Sequence, residues 1–385
     1  MMARKALFAS TNYFLSPFQV GSHHLARAFA RAGWRVGFVS NPLSPWHLLK
    51  GRDPEIRARW QCYRTGGRID PETEIWTYVP AALFPPHRSP LLRSEAVARH
   101  WWRCTIPSAV SAVRTAGFGD VDFLYLDSVY QRFWLDVLKC RRSLFRIADR
   151  NAGFSGWTSA AANLELELAR SVDAVAYTAR SLADHVQAMR PKTAFLLPNG
   201  VQADHFIDGS RAVPDEFRNI PRPIAIYVGA MDVWFDFALV ESAARRLPQV
   251  SFVLIGPDHL AKARLPALPN LHLLGSRPFA ALPPYLHNAD VGIIPFDVAN
   301  HGELVHGINP LKMYEYLACG LSVVAVEWDE LRRLDSPAKL CKSAEEFIDA
   351  IANVVGRPYD RESSIRYAKA HDWNASFRVL CERLF

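Results

Sequence analysis

Short apolar segments alternate with amphipathic ones along almost the whole chain, and this alternation limits the fold more than any other feature. Residues 5–10 (KALFAS) and 35–40 (RVGFVS) are typical buried strands, and an amphipathic segment at 24–32 lies between them. A strand–helix–strand unit of this kind predicts a parallel sheet with helices on both faces. Further strands are predicted at 123–126, 144–147, 174–177 and 194–197, and then at 224–228, 251–255, 271–274, 291–295 and 322–326.

A polar stretch rich in Asp, Gly and Pro, residues 199–223, separates the two series of strands and indicates a domain boundary. The sequence therefore predicts an α/β protein with two tandem, doubly wound, Rossmann-like domains. We expect an N-terminal domain at 1–200, a C-terminal domain at 201–360, and a terminal helix at 361–385 that packs back toward the N-terminal domain. Sheets of this type bind ligands at the carboxyl ends of their strands.

Several classes of protein are disfavoured by composition. No apolar run reaches the ~18–20 residues that span a bilayer, and the first residues lack the apolar core of a signal peptide. The six cysteines are scattered, with no C-x-x-C pair and no metal-spaced histidines nearby. This pattern indicates reduced thiols in a cytoplasmic protein rather than a disulfide framework or a structural zinc site.

Charge is distributed unevenly along the chain. Residues 1–200 hold 26 Lys and Arg against 15 Asp and Glu, a net +11, whereas residues 201–385 hold 19 against 23, a net −4. A basic half beside an acidic half indicates that one domain faces an anionic partner. Nucleic acid, a membrane surface and a phosphorylated substrate all fit this pattern, and so does a simple solubility charge.

The segment 41–104 breaks the alternation of strands and helices, because prolines and interleaved aromatic and arginine residues fill it. Tryptophan favours the water–hydrocarbon boundary and arginine favours anionic head groups. The segment therefore predicts a membrane-surface or lipid-acceptor face, and core packing within an irregular insertion is an equal alternative. Stacking on single-stranded nucleic acid is disfavoured, since no nucleic-acid-binding fold pattern accompanies the aromatics.

Residues 306–326 (HGINPLKMYEYLACGLSVVAV) carry the most informative motif. Asn309 and Pro310 predict the N-cap and first position of a helix that runs to about Ala318 and ends at Gly320. Free N–H groups at a helix N-terminus suit a diphosphate. Lys312 lies in the first turn and can contact a phosphate, and Glu315 lies on the same face, where it can accept from ribose hydroxyls. The alternative is a surface helix with an incidental Lys–Glu pair.

This N-P-x-K-x-x-E-x-x-x-x-G segment resembles the donor-nucleotide motif of GT-B glycosyltransferases. LLPNGVQADHF at 196–206 and YVGAMDVWFDFALV at 227–240 resemble the family's linker and the first strand–turn–helix of its donor domain. The order of motifs is similar to that of xanthan-type glucuronosyltransferases, which implies a membrane-associated enzyme acting on a lipid-diphosphate-linked glycan. The resemblance covers most of 140–330, and the segment 41–104 matches little of it.

The resemblance implies a set of donor-binding positions, with Glu315 at the ribose and Lys312 at the phosphates. Met231 and Phe296 are equally compatible with plain core packing. A family position that is acidic falls near Ser276, which weakens the expectation for base or ribose recognition. The implied donor-binding residues are Gly229, Met231, Phe296, Asn309, Leu311, Lys312 and Glu315.

Two absences bear on the expected mechanism. Many retaining GT-B enzymes place a second Glu eight residues before the helix Glu, and here that position is Gly307. The difference favours an inverting enzyme, which needs a general base for the acceptor hydroxyl. No closely spaced Asp pair stands where a metal would be held, so we expect no metal and no cofactor besides the nucleotide-sugar co-substrate.

Three residues are candidates for that base. Asp149 follows the strand at 144–147 and opens a loop, 149–156, and the xanthan-type resemblance implies a catalytic aspartate there; a solvated loop residue is the alternative. His23 and His24 are rivals, since plant-type inverting GT-B enzymes carry a catalytic histidine in a similar loop and histidine titrates near neutral pH. Contact with a phosphate and an ordinary place at the start of a helix are the alternatives for these two histidines. Asp127, after the strand at 123–126, is a candidate acceptor-binding residue.

The expected function is a glycosyltransferase for exopolysaccharide biosynthesis. Its donor would be a nucleotide-diphosphate sugar, with UDP-sugars favoured and UDP-glucuronate among them. Its acceptor would be a hydroxyl of a lipid-linked or polysaccharide-precursor glycan, met in peripheral contact with the anionic inner face of the cytoplasmic membrane, and no nucleic acid would bind. A GT-B-fold sugar-nucleotide epimerase and a non-catalytic nucleotide-sugar binding protein are the alternatives, whereas a Rossmann dehydrogenase lacks its G-x-G-x-x-G after the first strand.

Overall fold

The computed structural model describes residues 3–50, 53–86, 89, 92–150 and 156–385, which form two compact units. The first comprises residues up to Pro198 together with Ser376–Phe385, and the second comprises Asn199–Ala375. Each unit is a layered α/β domain built around one sheet, so the predicted α/β class is confirmed.

The first unit is built on an eight-stranded sheet with the order β3-β4-β2-β1-β5-β6-β7-β8, parallel except for the β3–β4 pair. The strands are β1 (Lys5–Ala9), β2 (Arg35–Val39), β3 (Arg68–Ile69), β4 (Trp76–Tyr78), β5 (Asp120–Leu126), β6 (Lys139–Ile147), β7 (Ala174–Tyr177) and β8 (Ala194–Leu196). The helices are α1 (Gly21–Arg31), α2 (Pro54–Arg64), α3 (Glu95–His100), α4 (Ala109–Val113), α5 (Trp134–Val137), α6 (Ser159–Ser171) and α7 (Ala183–Ala188).

The core of this unit explains why its strands read as continuous apolar runs. The central strands are covered on both faces by helices, so residues on both sides of each strand are buried. Helix α1 places Phe29 against this sheet, with its ring centroid 5.5 Å from that of Phe8 and 5.0 Å from that of Phe123. Arginines 27 and 31 occupy the other side of the helix, which gives α1 the amphipathic pattern visible in the sequence.

The segment 41–104 contains regular structure that no sequence pattern predicted. Strand β4 extends the main sheet beside β2, and it was too short to stand out among prolines and aromatics. The aromatic residues divide between two environments: Trp101 is 2 % exposed, whereas Trp46 and Phe84 are 62 % and 56 % exposed. Core packing therefore accounts for some of these aromatic residues, whereas others are exposed. Arg88 and Pro90, which belong to the same pattern, lie outside the described residues.

The second unit is built on a six-stranded, fully parallel sheet with the order β11-β10-β9-β12-β13-β14. The strands are β9 (Ile224–Val228), β10 (Ser251–Ile255), β11 (Leu271–Gly275), β12 (Val291–Ile294), β13 (Ser322–Val326) and β14 (Lys339–Cys341). The helices are α8 (Ala203–Ile207), α9 (Phe237–Arg246), α10 (His259–Arg264), α11 (Leu282–His287), α12 (Val298–Val305), α13 (Leu311–Ala318), α14 (Asp329–Arg333), α15 (Ala344–Val354) and α16 (Arg361–Ala370).

The prediction of a single helix from Arg361 was wrong, because the chain forms α16 and then a separate helix, α17 (Trp373–Leu384). Asp372 interrupts the helix: its carboxylate accepts from the N–H groups of Ala203 and Asn374, at 2.9 and 2.8 Å. From Ser376 onward, α17 belongs to the first unit. There the Phe377 ring lies 4.8 Å from Phe29, and Arg142 donates to the Leu384 carbonyl at 2.8 Å.

Among the helices that the structure describes, none is both long and apolar enough to cross a bilayer.

Candidate active site

In the second unit the strand order reverses between β9 and β12, and the chain leaves these adjacent strands in opposite directions. A crevice opens at such a switch point beyond the carboxyl ends of the strands. Gly229 follows β9 directly, and Phe296 follows β12 after one intervening proline. Two of the predicted donor-binding positions therefore stand at the place where a sheet of this order binds ligands.

Gly229 adopts a backbone conformation that side chains avoid, with φ at +151°. A Cβ built on it would lie 3.0 Å from Cε and 3.3 Å from Nζ of Lys312. Glycine is therefore needed for its conformation and for the space that the lysine side chain occupies above it. The structure brings Gly229 and Lys312 together as the motif implied.

The Lys312 ammonium lies among aromatic rings. Its Nζ is 4.7 Å from the ring centroid of Phe296 and 5.3 Å from that of Tyr227. Burial lowers the pKa of Lys312 to about 8, and the nearby Glu315 carboxylate opposes that shift. Among the described residues, no carboxylate lies within ion-pair distance of Nζ. The aromatic faces supply part of the missing stabilisation, and the site favours an added anion.

Glu315 lies one turn further along α13 and is 9 % exposed. Burial raises the pKa of Glu315 to about 7, and Lys312 acts in the opposite direction. The carboxyl is thus near its titration point at neutral pH. It can accept hydrogen bonds from hydroxyl groups when ionised, as the resemblance implied for a ribose.

The predicted start of α13 was wrong by one position. Pro310 takes the extended N-cap conformation and the helix begins at Leu311, which is partly exposed. Asn309 is instead 3 % exposed and accepts from the Tyr314 hydroxyl at 3.1 Å. Since proline has no capping side chain, the first N–H groups of the helix have no side-chain cap. An anion beside Lys312 can meet them. The predicted end of the helix at Ala318–Gly320 is confirmed.

Tyr316 fixes α13 to the sheet, a role that was not predicted from the motif around it. Its hydroxyl accepts from the Val228 N–H at 2.7 Å, at the last residue of β9. Its ring lies against Gly292 in β12, where a Cβ would meet the ring at 2.3 Å. An isolated glycine inside a strand is a signal of such close approach, so Gly292 pointed to this contact.

Met231 and Phe296 have mainly packing roles. They are 1 % and 2 % exposed and belong to the core of the second unit. Phe296 also stacks on Trp328, with centroids 5.4 Å apart, and presents its ring to Lys312. Phe296 therefore packs its ring against the Lys312 ammonium, whereas the Met231 side chain is enclosed in the core.

The first unit has an equivalent switch point between β1 and β5, and Asp127 stands there. Its carboxylate accepts from the Ser10 hydroxyl at 2.9 Å and from the Thr11 N–H at 2.8 Å. Burial raises the pKa of Asp127, while these donors and Arg146 act in the opposite direction. Asp127 is therefore held in place by the loop after β1.

Arg146, in β6, was not selected from the sequence. It is 4 % exposed, and its guanidinium lies against Gly21 at the start of α1, where a Cβ would be 2.7–2.9 Å away. Its charge acts on both Asp127 and Asp149. The sequence does carry a signal for this role, namely an arginine inside an apolar strand, because a buried cation needs nearby anions.

Asp149 lies two residues beyond β6 and is partly exposed. Burial raises the pKa of its carboxyl, and Arg146 lowers it. Asp149 therefore stands at the carboxyl edge of the sheet, where the positive charge of Arg146 acts on its carboxyl group. Residues 151–155 of the predicted loop lie outside the described residues.

His23 and His24 are both buried, at 0 % and 3 % exposure. The Nδ1 atom of His23 accepts from the Val20 N–H at 3.1 Å, and Nε2 donates to the Tyr13 carbonyl at 2.9 Å. Burial lowers the pKa of His23 to about 4. Both of its ring nitrogens are occupied by backbone groups, so His23 holds the start of α1 and has no nitrogen available to take a substrate proton.

Comparisons with known proteins match both units. The family described as "Glucuronosyltransferase GumK, N-terminal domain" matches residues 8–178, and the family described as "Glycosyl transferases group 1" matches residues 222–357. The first match includes the segment 41–104, so the expectation that this segment lies outside the resemblance was wrong. Its short strand and irregular helices carried no motif that the sequence alone revealed.

One curated relative is the putative teichuronic acid biosynthesis glycosyltransferase TuaH of Bacillus subtilis (strain 168), 27 % identical over 195 residues. That match spans 47 % of this chain and 48 % of the relative, so the chain matches about half of the relative's length.

Solved structures match over nearly the whole chain. A sucrose-phosphate synthase from Thermosynechococcus elongatus matches with a TM-score of 0.69 at 16 % identity, covering 99 % of this chain and 98 % of the other. Anabaena Alr3699/HepE in complex with UDP and glucose matches with a TM-score of 0.65 at 14 % identity, covering 99 % of each chain. These likenesses show a fold with two Rossmann-like domains in tandem.

Proposed function

Since the chain belongs to the GT-B glycosyltransferases and is related to GumK, we propose that it transfers a sugar from a nucleotide-diphosphate sugar to a hydroxyl of a glycan acceptor. A UDP-sugar is the favoured donor, and UDP-glucuronate is among the candidates. The GumK family match and the UDP bound by Alr3699/HepE support this choice. The name of TuaH, a putative teichuronic acid biosynthesis glycosyltransferase, supports a role in polysaccharide biosynthesis, and the acceptor that we propose is a lipid-linked or polysaccharide-precursor glycan.

The observation that carries the proposal is the Lys312 ammonium held above Gly229 at the switch point of the second unit. When the bond between the sugar C1 and the diphosphate oxygen breaks, negative charge collects on the diphosphate. A fixed cation in low-dielectric surroundings and the N–H groups of α13 stabilise that charge without having to reorganise. This donor set supplies the stabilisation from protein groups, so the proposed mechanism needs no metal.

In the proposed chemistry the enzyme inverts the configuration at C1. The acceptor hydroxyl attacks C1 from the side opposite the diphosphate, a new C1–O bond forms, and the bond to the diphosphate oxygen breaks. The hydroxyl proton passes to the Asp149 carboxylate, which acts as the general base. Arg146 favours the ionised form of that carboxylate.

The test of the donor site is a thermal-shift series with UDP, GDP, dTDP and their common sugars on the wild type, Lys312→Ala and Lys262→Ala. A ligand that binds only the native state raises the unfolding temperature. We expect UDP to raise it in the wild type and in Lys262→Ala, whose lysine pairs with Asp258 on the surface, and to have no effect on Lys312→Ala. An equal shift in all three proteins would contradict the proposal.

The test of the mechanism follows product formation by NMR with the identified donor and a glycan acceptor. We expect the opposite anomeric configuration in the product, and a loss of about 10²–10⁴-fold in turnover for Asp149→Asn with donor binding intact. Retained configuration would rule out the inverting route. Conversion of the donor without any acceptor would instead identify an epimerase, and donor binding with neither product would identify a binding protein.

We propose that the first unit makes peripheral contact with the anionic inner face of the cytoplasmic membrane. Residues 81–84 run alongside 104–106 through an antiparallel bridge from Ala82 to Thr105. This pairing places Leu83, Phe84 and Ile106 on the surface with 48 %, 56 % and 59 % exposure. Arg103, which directly precedes residues 104–106, is exposed as well. Exposed apolar groups combined with arginine suit an interface with anionic lipid.

Vesicle sedimentation tests this contact. We expect vesicles with anionic lipid to retain the wild type, and vesicles of neutral lipid to retain less of it. Substituting serine for both Leu83 and Phe84 should release the protein. Substituting serine for Val213, an exposed apolar residue of the second unit, should not release it. Equal retention of all variants would rule out this surface.

A further inference from the structure

A cleft of about 440 Å³ opens in the first unit, and Asp127 is not among the residues that line it. Helix α3 and the turn after it form one wall with Arg99, Trp102 and Arg103, and the segment 129–137 forms the other with Tyr130 and Arg132. Phe133 and Leu164 contribute apolar surface. This volume suits a small molecule or one to two sugar rings, and neither the donor site nor Asp149 uses it.

The polar side of the cleft is built from fixed ion pairs. Arg99 bridges Glu95 and Glu167, with Nη2–Oε1 of Glu95 at 2.6 Å and Nη1–Oε2 of Glu167 at 2.7 Å. Arg132 contacts Asp136 at 3.0 Å and lies 3.6 Å from Glu167. These pairs hold guanidinium and carboxylate groups side by side, so hydrogen-bond donors and acceptors lie next to each other at this part of the cleft.

The aromatic part of the cleft is rigid. Trp102 stacks on Phe133 with centroids 5.1 Å apart and planes 10° from parallel. Its indole N–H donates to the Arg99 carbonyl at 3.1 Å, which fixes the ring. A sugar ring has apolar C–H faces and hydroxyl edges, and this cleft offers an apolar surface beside charged groups of both signs.

One cation of the cleft has no acidic partner among the described residues. Arg103 is exposed and lies over the Trp102 ring at 5.3 Å, and no carboxylate is within ion-pair distance of it. Arg99 and Arg132 share the carboxylates of Glu95, Asp136 and Glu167, whereas Arg103 is within ion-pair distance of none of them. A ligand carboxylate would give Arg103 a partner and form charge-assisted hydrogen bonds with it.

We propose that this cleft binds a short glycan that bears a carboxylate, with the sugar ring on the aromatic side and the carboxylate at Arg103. The inference rests on the proposed function only for its natural ligand, a glycan segment of the acceptor that carries a uronic acid. The cleft then holds the acceptor at a distance from the reacting hydroxyl and selects acidic over neutral glycans.

The test measures binding of trigalacturonate and of neutral maltotriose by tryptophan fluorescence and by saturation-transfer NMR. We expect trigalacturonate to bind at least tenfold more tightly than maltotriose, and Arg103→Ala to weaken it at least fivefold. Arg4→Ala is the matched control, because Arg4 lies over Trp34 at 5.5 Å in the same unit, and it should bind within twofold of the wild type. Unfolding temperatures confirm that both variants fold.

Other results overturn the proposal. Equal binding of the two trisaccharides, no binding of trigalacturonate, or unchanged binding by Arg103→Ala would each do so. Complete displacement of trigalacturonate by inorganic phosphate at the same concentration would show a simple anion site. Lys312→Ala should keep trigalacturonate binding while it loses the response to UDP, so failure of the cleft and failure of the donor site are separate outcomes.

Discussion

At the scale of single residues, Lys312 shows how the packing around a lysine changes the pKa of its ammonium group. The side chain is threaded between Gly229 and two aromatic rings, where its cation has little water and no carboxylate partner among the described residues. Burial brings the pKa of Lys312 down to about 8. The ammonium is therefore charged at neutral pH, but only by a modest margin, and an anion that binds beside it raises its pKa again.

This margin predicts a pH dependence of nucleotide binding. Above pH 8 the free protein holds Lys312 mainly as the neutral amine, so UDP should bind about tenfold more weakly at pH 9.5 than at pH 7.5. The phosphate groups of UDP are already ionised across this range. Calorimetric titration at constant ionic strength measures the change.

Lys312→Arg serves as the control, because a guanidinium keeps its charge throughout. That variant should show a flat profile over the same range, whatever its affinity at pH 7.5. An unchanged affinity of the wild type between pH 7.5 and pH 9.5 would contradict the assignment of Lys312 to the phosphates.

Residue types and spacing were enough to select Lys312 and Gly229, which the structure brings together. The positions of Lys312, Glu315 and Gly229 follow from the motif, because each has a local role on a helix or turn. Arg146 and Tyr316 escaped prediction because their importance comes from distant parts of the chain: Gly21 packs on Arg146 and Gly292 packs on Tyr316. His23 was a candidate base for the same reason: its sequence neighbours do not show that the Tyr13 carbonyl occupies its Nε2.

At the scale of elements, one hydrogen bond joins the second half of α13 to the sheet. The Tyr316 hydroxyl accepts the N–H of Val228 at 2.7 Å, and this contact joins the helix to the strand that leads into Gly229. Lys312 lies one turn before Tyr316 on the same helix. The hydrogen bond therefore sets the height of the lysine above the end of β9.

Tyr316→Phe removes only the acceptor for this N–H and leaves the ring in place. A buried donor left without a partner destabilises a protein by about 1–3 kcal/mol. We expect the second unit to unfold at lower urea concentration, and UDP to bind more weakly. Tyr63→Phe is the comparison, since its hydroxyl bonds the Ile106 carbonyl on the first unit, and it should leave both properties of the second unit unchanged.

The boundaries of the strands and helices show which elements a sequence pattern is enough to predict. The central parallel strands were predicted within a few residues, because strands buried on both faces are continuous apolar runs. Strands β3 and β4 were missed because they have two and three residues and lie at one side of the sheet. The break between α16 and α17 depends on Asp372 bonding to Ala203, a contact across 169 positions that no local pattern reveals.

At the scale of the whole molecule, the two units are not two simple halves of the sequence. Residues 376–385 belong to the first unit although the entire second unit precedes them. Leu380 and Leu384 are buried, and Phe385 lies 5.4 Å from Trp34. The helix layer on this side of the first sheet is completed by a segment from the far end of the sequence.

A chain that stops at Ala375 should destabilise the first unit selectively. Loss of a buried leucine side chain alone destabilises a core by about 2–5 kcal/mol, and this deletion removes several apolar contacts. We expect faster hydrogen exchange in peptides from β1, α1 and β2, with exchange in β9 and β12 and the thermal response to UDP retained. Leu380→Ala should show a smaller change in the same peptides. Uniform acceleration across both units would contradict this division.

The late position of these residues also has a consequence for synthesis. The ribosome finishes the whole second sheet before it releases the segment that covers Phe29 and Trp34. At translation rates of about 5–20 residues per second, this apolar surface stays open for tens of seconds. The nascent first domain is therefore an expected client of ribosome-associated chaperones, and the second domain can reach its native state before the first one does.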